Sequence, residues 1–195
     1  MKREKLLFLT LLFFFGVSIC FSQVGIGTTN PLAKLDIDAT SDAIPAFAIR
    51  PVVSAPTGTS DGQIAMIDNS LYFYDNTRTK WLSSETVALN YSNSGDTDDE
   101  YLNSNSVNSG IRIPYNATLI AITARASGGD TSRQFRVRKN GSTTNLLSFT
   151  VTTFNYSSTT QNLNFDAGDF INIYVDNESG DITNPTVTLW LKWRK

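Results

Sequence analysis

The stretch Thr186-Val-Thr-Leu-Trp-Leu-Lys-Trp193 alternates, residue by residue, between two kinds of side chain. Successive side chains of a β-strand point to opposite faces, so this alternation predicts a strand with one apolar face. The apolar face consists of Val187, Leu189, Leu191 and Trp193. The opposite face carries Thr188, Trp190 and Lys192, and an outward tryptophan marks a contact surface.

The same alternation recurs in the preceding stretch, Phe170-Ile-Asn-Ile-Tyr-Val175. Its aliphatic face consists of Ile171, Ile173 and Val175. Tyr174 falls on the other face, and we therefore expect it, like Trp190, to point away from the core. Trp190, Tyr174 and Lys192 are accordingly the predicted interface or ligand-contacting residues.

Further β-rich stretches lie upstream of these two. They cover residues 87–91, 100–102, 111–113, 117–126, 135–139, 146–154 and 161–165. Turn signals separate them, among them Asn140-Gly141 and Gly168-Asp169, and no segment carries the start and stop signals of a helix. The pattern predicts an all-β fold, with a sandwich or barrel over residues 86–195.

A different organisation is predicted for residues 23–85, which are extended and rich in turns. Leu35 and Ile37 alternate with charged residues as a short strand would. Residues 63–68 and 71–75 read as a hairpin across Asn69-Ser70, followed by a short strand over residues 80–82. An isolated hairpin is marginally stable in water, so we expect this segment to need a partner.

The N-terminal segment has the order of a secretory signal peptide. Lys2, Arg3 and Lys5 precede an apolar run over residues 6–15, and small or polar residues follow up to Ser22. The run is shorter than the ~20 apolar residues that a membrane span needs. We predict that residues 1–22 are removed on export; the alternative, lipoprotein processing at Cys20, is disfavoured by the bulky Ile19 before it.

Composition argues against several functional classes. The chain contains no histidine, the usual general base near neutral pH and the commonest transition-metal ligand. Its formal charge is −2, and removal of a signal segment with three cations and one anion leaves about −4. A negative chain is a poor match for nucleic acid, and we predict no nucleic-acid partner.

The densest carboxylate cluster is Asp96-Thr-Asp-Asp-Glu100. Its candidate calcium ligands are Asp96, Asp98, Asp99 and Glu100. Carboxylate oxygens suit Ca²⁺, but the stretch lacks the spacing of a calcium-binding loop. The alternative is a solvated acidic loop, and no other cofactor is expected.

A basic stretch and a set of aromatic residues leave further alternatives open. Arg133, Arg136, Arg138 and Lys139 either form a solvent-facing side of a strand, opposite Phe135 and Val137, or contact an anion. The aromatic residues Tyr72, Tyr74, Trp81, Tyr174 and Trp190 either stack on sugars or belong to a core or subunit interface.

The C-terminal pattern resembles the jelly-roll heads of the tumour-necrosis-factor and complement-head superfamily. The resemblance is carried by Phe135-Arg-Val-Arg-Lys-Asn-Gly141, by Leu163-Asn-Phe-Asp-Ala-Gly-Asp-Phe-Ile-Asn-Ile-Tyr-Val175 and by Val187-Thr-Leu-Trp-Leu191. It covers about the last 100 residues. It implies a jelly-roll head over residues 86–195 whose final strand lies in the sheet that faces a threefold axis.

The preceding segment resembles the neck regions of exported Bacteroidetes proteins and of phage tail-fibre-like proteins. The residues concerned are Gly25-Ile-Gly-Thr-Thr-Asn-Pro-Leu-Ala-Lys-Leu-Asp36 and the later hairpin ending at Lys80-Trp81. This resemblance implies a trimerisation neck over residues 23–85, and the chain has no collagen-like Gly-X-Y tract.

These expectations combine into one functional hypothesis. We expect an exported, non-enzymatic, homotrimeric surface or extracellular protein of the adhesion type, whose head contacts a glycan or a protein. One alternative is a small carbohydrate-active enzyme module that uses Asp and Glu. Another is a purely structural subunit without a ligand.

Overall fold

The fold is described from a computed structural model, for residues 24–26, 29, 35–40, 43, 45–176 and 180–195. The predicted signal peptide, residues 1–22, with its alternative processing site at Cys20, lies outside the described residues. The chain forms two compact units, Met1–Ile49 and Arg50–Lys195.

The first unit contains one pair of short parallel strands, β1 (Val24–Ile26) and β2 (Leu35–Ile37). After β2, the Asp38 carboxylate accepts hydrogen bonds from the backbone N–H and the hydroxyl of Thr40, at 2.9 and 2.7 Å. These two bonds lower the pKa of Asp38, as expected for a carboxylate that ends a strand in an Asx turn.

In the second unit, the predicted hairpin forms part of a three-stranded antiparallel sheet. Its strands are β3 (Ile64–Ile67), β4 (Ser70–Asp75) and β5 (Lys80–Ser83). Ile67 pairs with Ser70, so the two-residue turn is Asp68-Asn69, one position earlier than predicted. Both turn residues have positive φ, 47° and 68°, a conformation that Asp and Asn tolerate and that matches the twist of a hairpin.

The rest of the second unit is the predicted β-sandwich. Its strands are β6 (Val87–Ser92), β7 (Asp96–Thr97), β8 (Ile111–Arg112), β9 (Ala117–Arg125), β10 (Gly128–Gly129), β11 (Ser132–Lys139), β12 (Leu147–Thr152), β13 (Asn155–Ser158), β14 (Leu163–Phe165), β15 (Phe170–Val175), β16 (Ile182–Thr183) and β17 (Thr186–Trp193). One sheet has the order β6-β17-β9, with β13 and β14 both on the far edge of β9. The other has the order β12-β11-β15-β8. The chain passes between them at the Thr152–Asn155 pair, and β7, β16 and β10 form a small third sheet.

The core lies between the inner faces of these two sheets. The predicted apolar faces supply it: Ile171, Ile173, Val187 and Leu189 are all completely buried. The hydroxyl of Tyr91 donates to the Ile171 carbonyl at 2.9 Å, so this buried polar group is satisfied. Burial raises the pKa of Tyr91, which keeps the hydroxyl protonated as a donor.

Some local predictions are wrong. Residues 100–102 are not a strand: Tyr101 makes a single bridge to Tyr174, and a 3-10 helix follows at Leu102–Ser104. The strand predicted over 146–154 ends at Thr152, because Thr153 and Phe154 form a turn with positive φ. The described part of the chain contains no α-helix. It also contains no helical segment that is long and apolar enough to span a membrane.

The three-stranded sheet is fastened to the sandwich at two places. Leu82 bridges to Arg194, and the Lys195 N–H donates to the Trp81 carbonyl at 3.0 Å, which brings β5 beside the end of β17. Arg78, in the turn between β4 and β5, donates to sandwich carbonyls. They belong to Gln161, Thr159 and Ile120, at 2.8, 2.9 and 3.2 Å.

The Gly168-Asp169 turn joins β14 to β15, as predicted. Gly168 has φ +91°, a conformation that favours glycine. The Asp169 carboxylate, 8% exposed, accepts from the Asp166 N–H at 2.9 Å and from Lys139 at 2.8 Å, and also from Asn140. Burial alone would raise the pKa of Asp169, but the donated hydrogen bonds and the Lys139 charge lower it.

Replacing Asp169 tests this turn. Asp169→Asn removes the charge that three donors share, so we expect a loss of about 2–3 kcal/mol in the free energy of unfolding at pH 7. The carboxylate contributes stability above its ordinary pKa of 3.8 and loses it as the pH falls through the lower folded pKa. The difference in the free energy of unfolding between parent and variant should therefore disappear at acid pH. Denaturant unfolding as a function of pH measures this difference. A gap that is unchanged between pH 7 and acid would contradict this.

Candidate functional site

Trp190 lies near the middle of the outer face of the sheet that contains β6, β17 and β9. It is 37% exposed, and its indole N–H donates to the Thr123 hydroxyl at 3.1 Å. It pairs with Ala121 on β9, while the next residue, Leu191, pairs with Leu119. The register between β17 and β9 therefore shifts by one residue beside Trp190, as at a β-bulge.

The surface around Trp190 is made of small uncharged residues, and Trp190 itself pairs with Ala88 on β6 and Ala121 on β9. Its outward side chains include Asn90 on β6, Thr188 on β17 and Thr123 on β9, and the Thr188 hydroxyl hydrogen-bonds Asn90 at 2.8 Å. No strand of this sheet, namely β6, β9, β13, β14 or β17, contains a carboxylate. The cations Arg125 and Lys192 lie toward opposite ends, so the centre of the face is uncharged.

Lys192 lies on the same face as Trp190, toward the three-stranded sheet. It lines a cleft of about 500 Å³ together with Tyr74, Asp75 and Arg78. Asp75 and Arg78 already form an ion pair at 2.6 Å. Within the described ranges Lys192 forms no ion pair. It lies at the border of the outward surface formed by Trp190, Asn90, Thr123 and Thr188, which we call the Trp190 face.

Tyr174 belongs to a different surface. It lies on β15, in the opposite sheet, and its ring covers the Arg138 guanidinium at 4.0 Å from the ring centroid. Tyr101 packs against Tyr174 with ring centroids 5.0 Å apart, and Arg138 donates to the Tyr101 hydroxyl at 2.9 Å. The structure brings Trp190 and Lys192 together but places Tyr174 in a half-buried cation–π cluster on the outer face of the opposite sheet.

The structure also separates the four candidate calcium ligands. Asp96 accepts from the Thr183 hydroxyl at 2.7 Å, and Glu100 accepts from the Asn93 amide at 2.7 Å. Asp98 faces Arg133 at 3.4 Å, while Asp99 is exposed. Among the residues described, no three acidic or other ligating side chains lie close enough to share a metal ion.

Arg133 supplies the positive charge in this region. Its side chain is completely buried, and one terminal nitrogen donates to the Asp176 carbonyl at 2.7 Å. Period-two alternation places Arg133 on the same face as Phe135, so the prediction of one solvent-facing basic side is wrong for this residue. The others are engaged too: Arg136 pairs with Asp176, and Lys139 with Asp169.

Sequence reasoning missed a cleft at the end of β17, lined by Tyr115, Trp193 and Glu85 among others. The rings of Tyr115 and Trp193 meet edge to face, with centroids 5.4 Å apart. Its lining comes from five separate parts of the chain, so no local pattern of residues could have predicted it. The one available signal was Tyr115 itself, an aromatic residue in the turn after Pro114.

Comparisons of the chain with protein-family models, with curated proteins and with solved structures find no match. The function must therefore be argued from the surfaces described above.

A substitution of Asp98 can distinguish its role as the ion-pair partner of Arg133 from a role as a calcium ligand. Asp98→Asn leaves a buried guanidinium without its carboxylate and should cost about 2–3 kcal/mol, less than a fully buried pair because Asp98 is partly exposed. Denaturant unfolding should give the same loss in calcium and in a chelator. The exposed neighbour change Asp99→Asn should shift stability by less than about 0.5 kcal/mol. Calcium-dependent stabilisation of the parent that Asp98→Asn abolishes would contradict the assignment.

Proposed function

We propose that this chain is an exported, non-enzymatic protein that assembles as a homotrimer and presents its β-sandwich to a glycan or a protein partner. The observation that carries the proposal is the Trp190 face: an exposed tryptophan at the uncharged centre of a sheet whose strands hold no carboxylate. This face is the surface through which the copies associate.

The energetic argument starts from the cost of leaving Trp190 in water. Full burial of an aromatic side chain of this size contributes ~2–3 kcal/mol, and because Trp190 is 37% exposed, covering the rest of it contributes about 1 kcal/mol per chain. The surrounding Asn90, Thr123 and Thr188 are short, so a second copy can approach the sheet closely without displacing long charged side chains. The Thr188 hydroxyl donates to the Asn90 side-chain oxygen and the Trp190 indole N–H donates to the Thr123 hydroxyl, so part of the polar surface here is already hydrogen-bonded, which lowers the desolvation cost of association.

The strand order supports the resemblance to trimeric jelly-roll heads. In the sequence analysis that resemblance puts the sheet of the final strand at a threefold axis. Here the final strand β17 lies between β6 and β9, and its outer face is the one left open around Trp190. The opposite sheet has its outer face occupied by the Tyr101–Arg138–Tyr174 cluster.

Export and the absence of catalysis are supported by the sequence. The first 22 residues have the order of a signal peptide, and the chain's single cysteine, Cys20, falls within them. No histidine is present, and the carboxylates Asp98, Asp169 and Asp176 serve as partners of buried or half-buried cations. A binding role needs none of these groups to react.

A single substitution tests the assembly. Trp190→Arg places a charge at each copy of the contact surface and leaves Val187, Leu189 and Leu191 in the core untouched. We expect the parent to be a trimer by size-exclusion chromatography with light scattering. The variant should be folded and dissociate at concentrations where the parent stays trimeric, because the lost burial and added repulsion weaken association.

The matched control is Tyr115→Arg, which charges an even more exposed aromatic residue (63%) away from this face and should leave the trimer intact. Both variants are made in the full chain, processed by its host, with near-ultraviolet circular dichroism as the check of folding. A parent that is monomeric at every concentration, or a Trp190→Arg variant with the parent's mass throughout, would refute the interface.

A further inference from the structure

A second surface of the same unit has the features of a ligand site. It is the cleft of about 550 Å³ at the end of β17, and its size falls within the range of about 300–1,000 Å³ typical of small-molecule sites. The three-stranded sheet supplies Ser70 and Tyr72, and the chain before β9 supplies Tyr115 and Asn116. Trp193, at the end of β17, also lines the cleft.

An aromatic platform forms one side of this cleft. Tyr115 is 63% exposed, yet its ring is held by the edge-to-face contact with Trp193, at an interplanar angle of 80°. Trp193 is fixed in turn by packing against the sandwich core and by its backbone N–H, which donates to the Ser83 hydroxyl at 3.1 Å. An exposed but positioned ring offers a flat apolar surface at little cost in conformational entropy.

Several hydrogen-bonding groups in the cleft have no protein partner in the described part of the chain. The Glu85 carboxylate forms no ion pair, and only the backbone carbonyl of Glu85 accepts a bond, from Ser83 at 2.8 Å. Asn116 accepts from the Ala167 N–H through its side-chain oxygen at 2.9 Å, which leaves its NH₂ group available. The exposed Ser70 hydroxyl adds a donor and acceptor.

The charges that line the cleft balance. Two carboxylates, Asp68 and Glu85, are matched by Arg194 and Lys195. Lys195 donates to Asp68 at 2.7 Å, and Arg194 donates to Asp166 at 2.5 Å. The hydrogen bond from Lys195 to Asp68 raises the pKa of Lys195, which stabilises the charged form of the ammonium group.

We infer that this cleft binds a neutral carbohydrate, with the apolar face of one sugar ring against Tyr115 and its hydroxyls bonded to Glu85, Asn116 and Ser70. An anionic ligand would meet the unpaired Glu85 carboxylate, whereas the hydroxyls of a neutral sugar can donate hydrogen bonds to it. A purely apolar ligand would leave the polar groups unsatisfied. The inference deepens the proposed function and rests on it, because it assigns the glycan contact to a named site.

The experiment uses the full chain in two steps. A glycan array with neutral, acidic and amino sugars identifies the ligand class, and isothermal titration with the best monovalent oligosaccharide measures its affinity. Monovalent sugars keep the avidity of a trimer out of the comparison. We expect neutral glycans to bind, and Tyr115→Ala to weaken the affinity about tenfold or more through loss of the stacking surface.

Two further variants complete the test. Glu85→Gln keeps the shape of the cleft and should weaken binding by a smaller factor, whereas Ile64→Ala, a change to an exposed apolar residue outside the cleft, should leave the affinity unchanged. Array binding that none of the cleft variants alters overturns the site but leaves the proposed glycan-binding role standing. Selective binding of acidic or amino sugars overturns the ligand class, and no binding to any glycan overturns the inference together with that role. A monomeric chain that binds through Tyr115 overturns only the trimer.

Discussion

The structure depends on the insertion of its last strand, β17, into the middle of a sheet. β17 pairs with β6 on one side and with β9 on the other, so its backbone groups find partners in both directions. Leu189 illustrates the packing: it pairs with Leu89 and Ile122, is completely buried and contributes about 1.5–3 kcal/mol by its burial. The bond between Thr188 and Asn90 spans 98 residues, so the pairing of β17 with β6 is a long-range contact.

The same strand also determines what its surroundings can do. Because alternate side chains leave the core, Trp190 must face outward, on a surface where it pairs with the small residues Ala88 and Ala121. Past Trp193 the chain runs on beside β5, which fastens the three-stranded sheet and creates the cleft between Tyr115, Trp193 and Glu85. The face proposed for assembly and the cleft proposed for sugar are thus separate consequences of one strand's position.

Period-two alternation was sufficient to predict the sandwich, because each core strand buries alternate residues against the opposite sheet. The same rule placed Trp190 and Lys192 correctly on one outward face. It could not say that Tyr174 lies on the other sheet, since that depends on strand order, a long-range property. Applied to β11, the rule puts Arg133 on the inner face with Phe135, against the prediction of a solvent-facing side, and only tertiary contacts identify Asp98 and the Asp176 carbonyl as its partners. The cleft was beyond prediction because its walls are distant in sequence.

Native-state hydrogen exchange tests the central claim about β17 most directly. If the strand is the last and most completely paired element of the sheet, the amides of Leu189 and Leu191 exchange only through global unfolding, and their protection equals the full free energy of unfolding. Opening of β17 alone, with the amides of Val137 on β11 and Ile173 on β15 still protected, would contradict the account. The fold would then rest on the opposite sheet, with β17 a late addition to its surface.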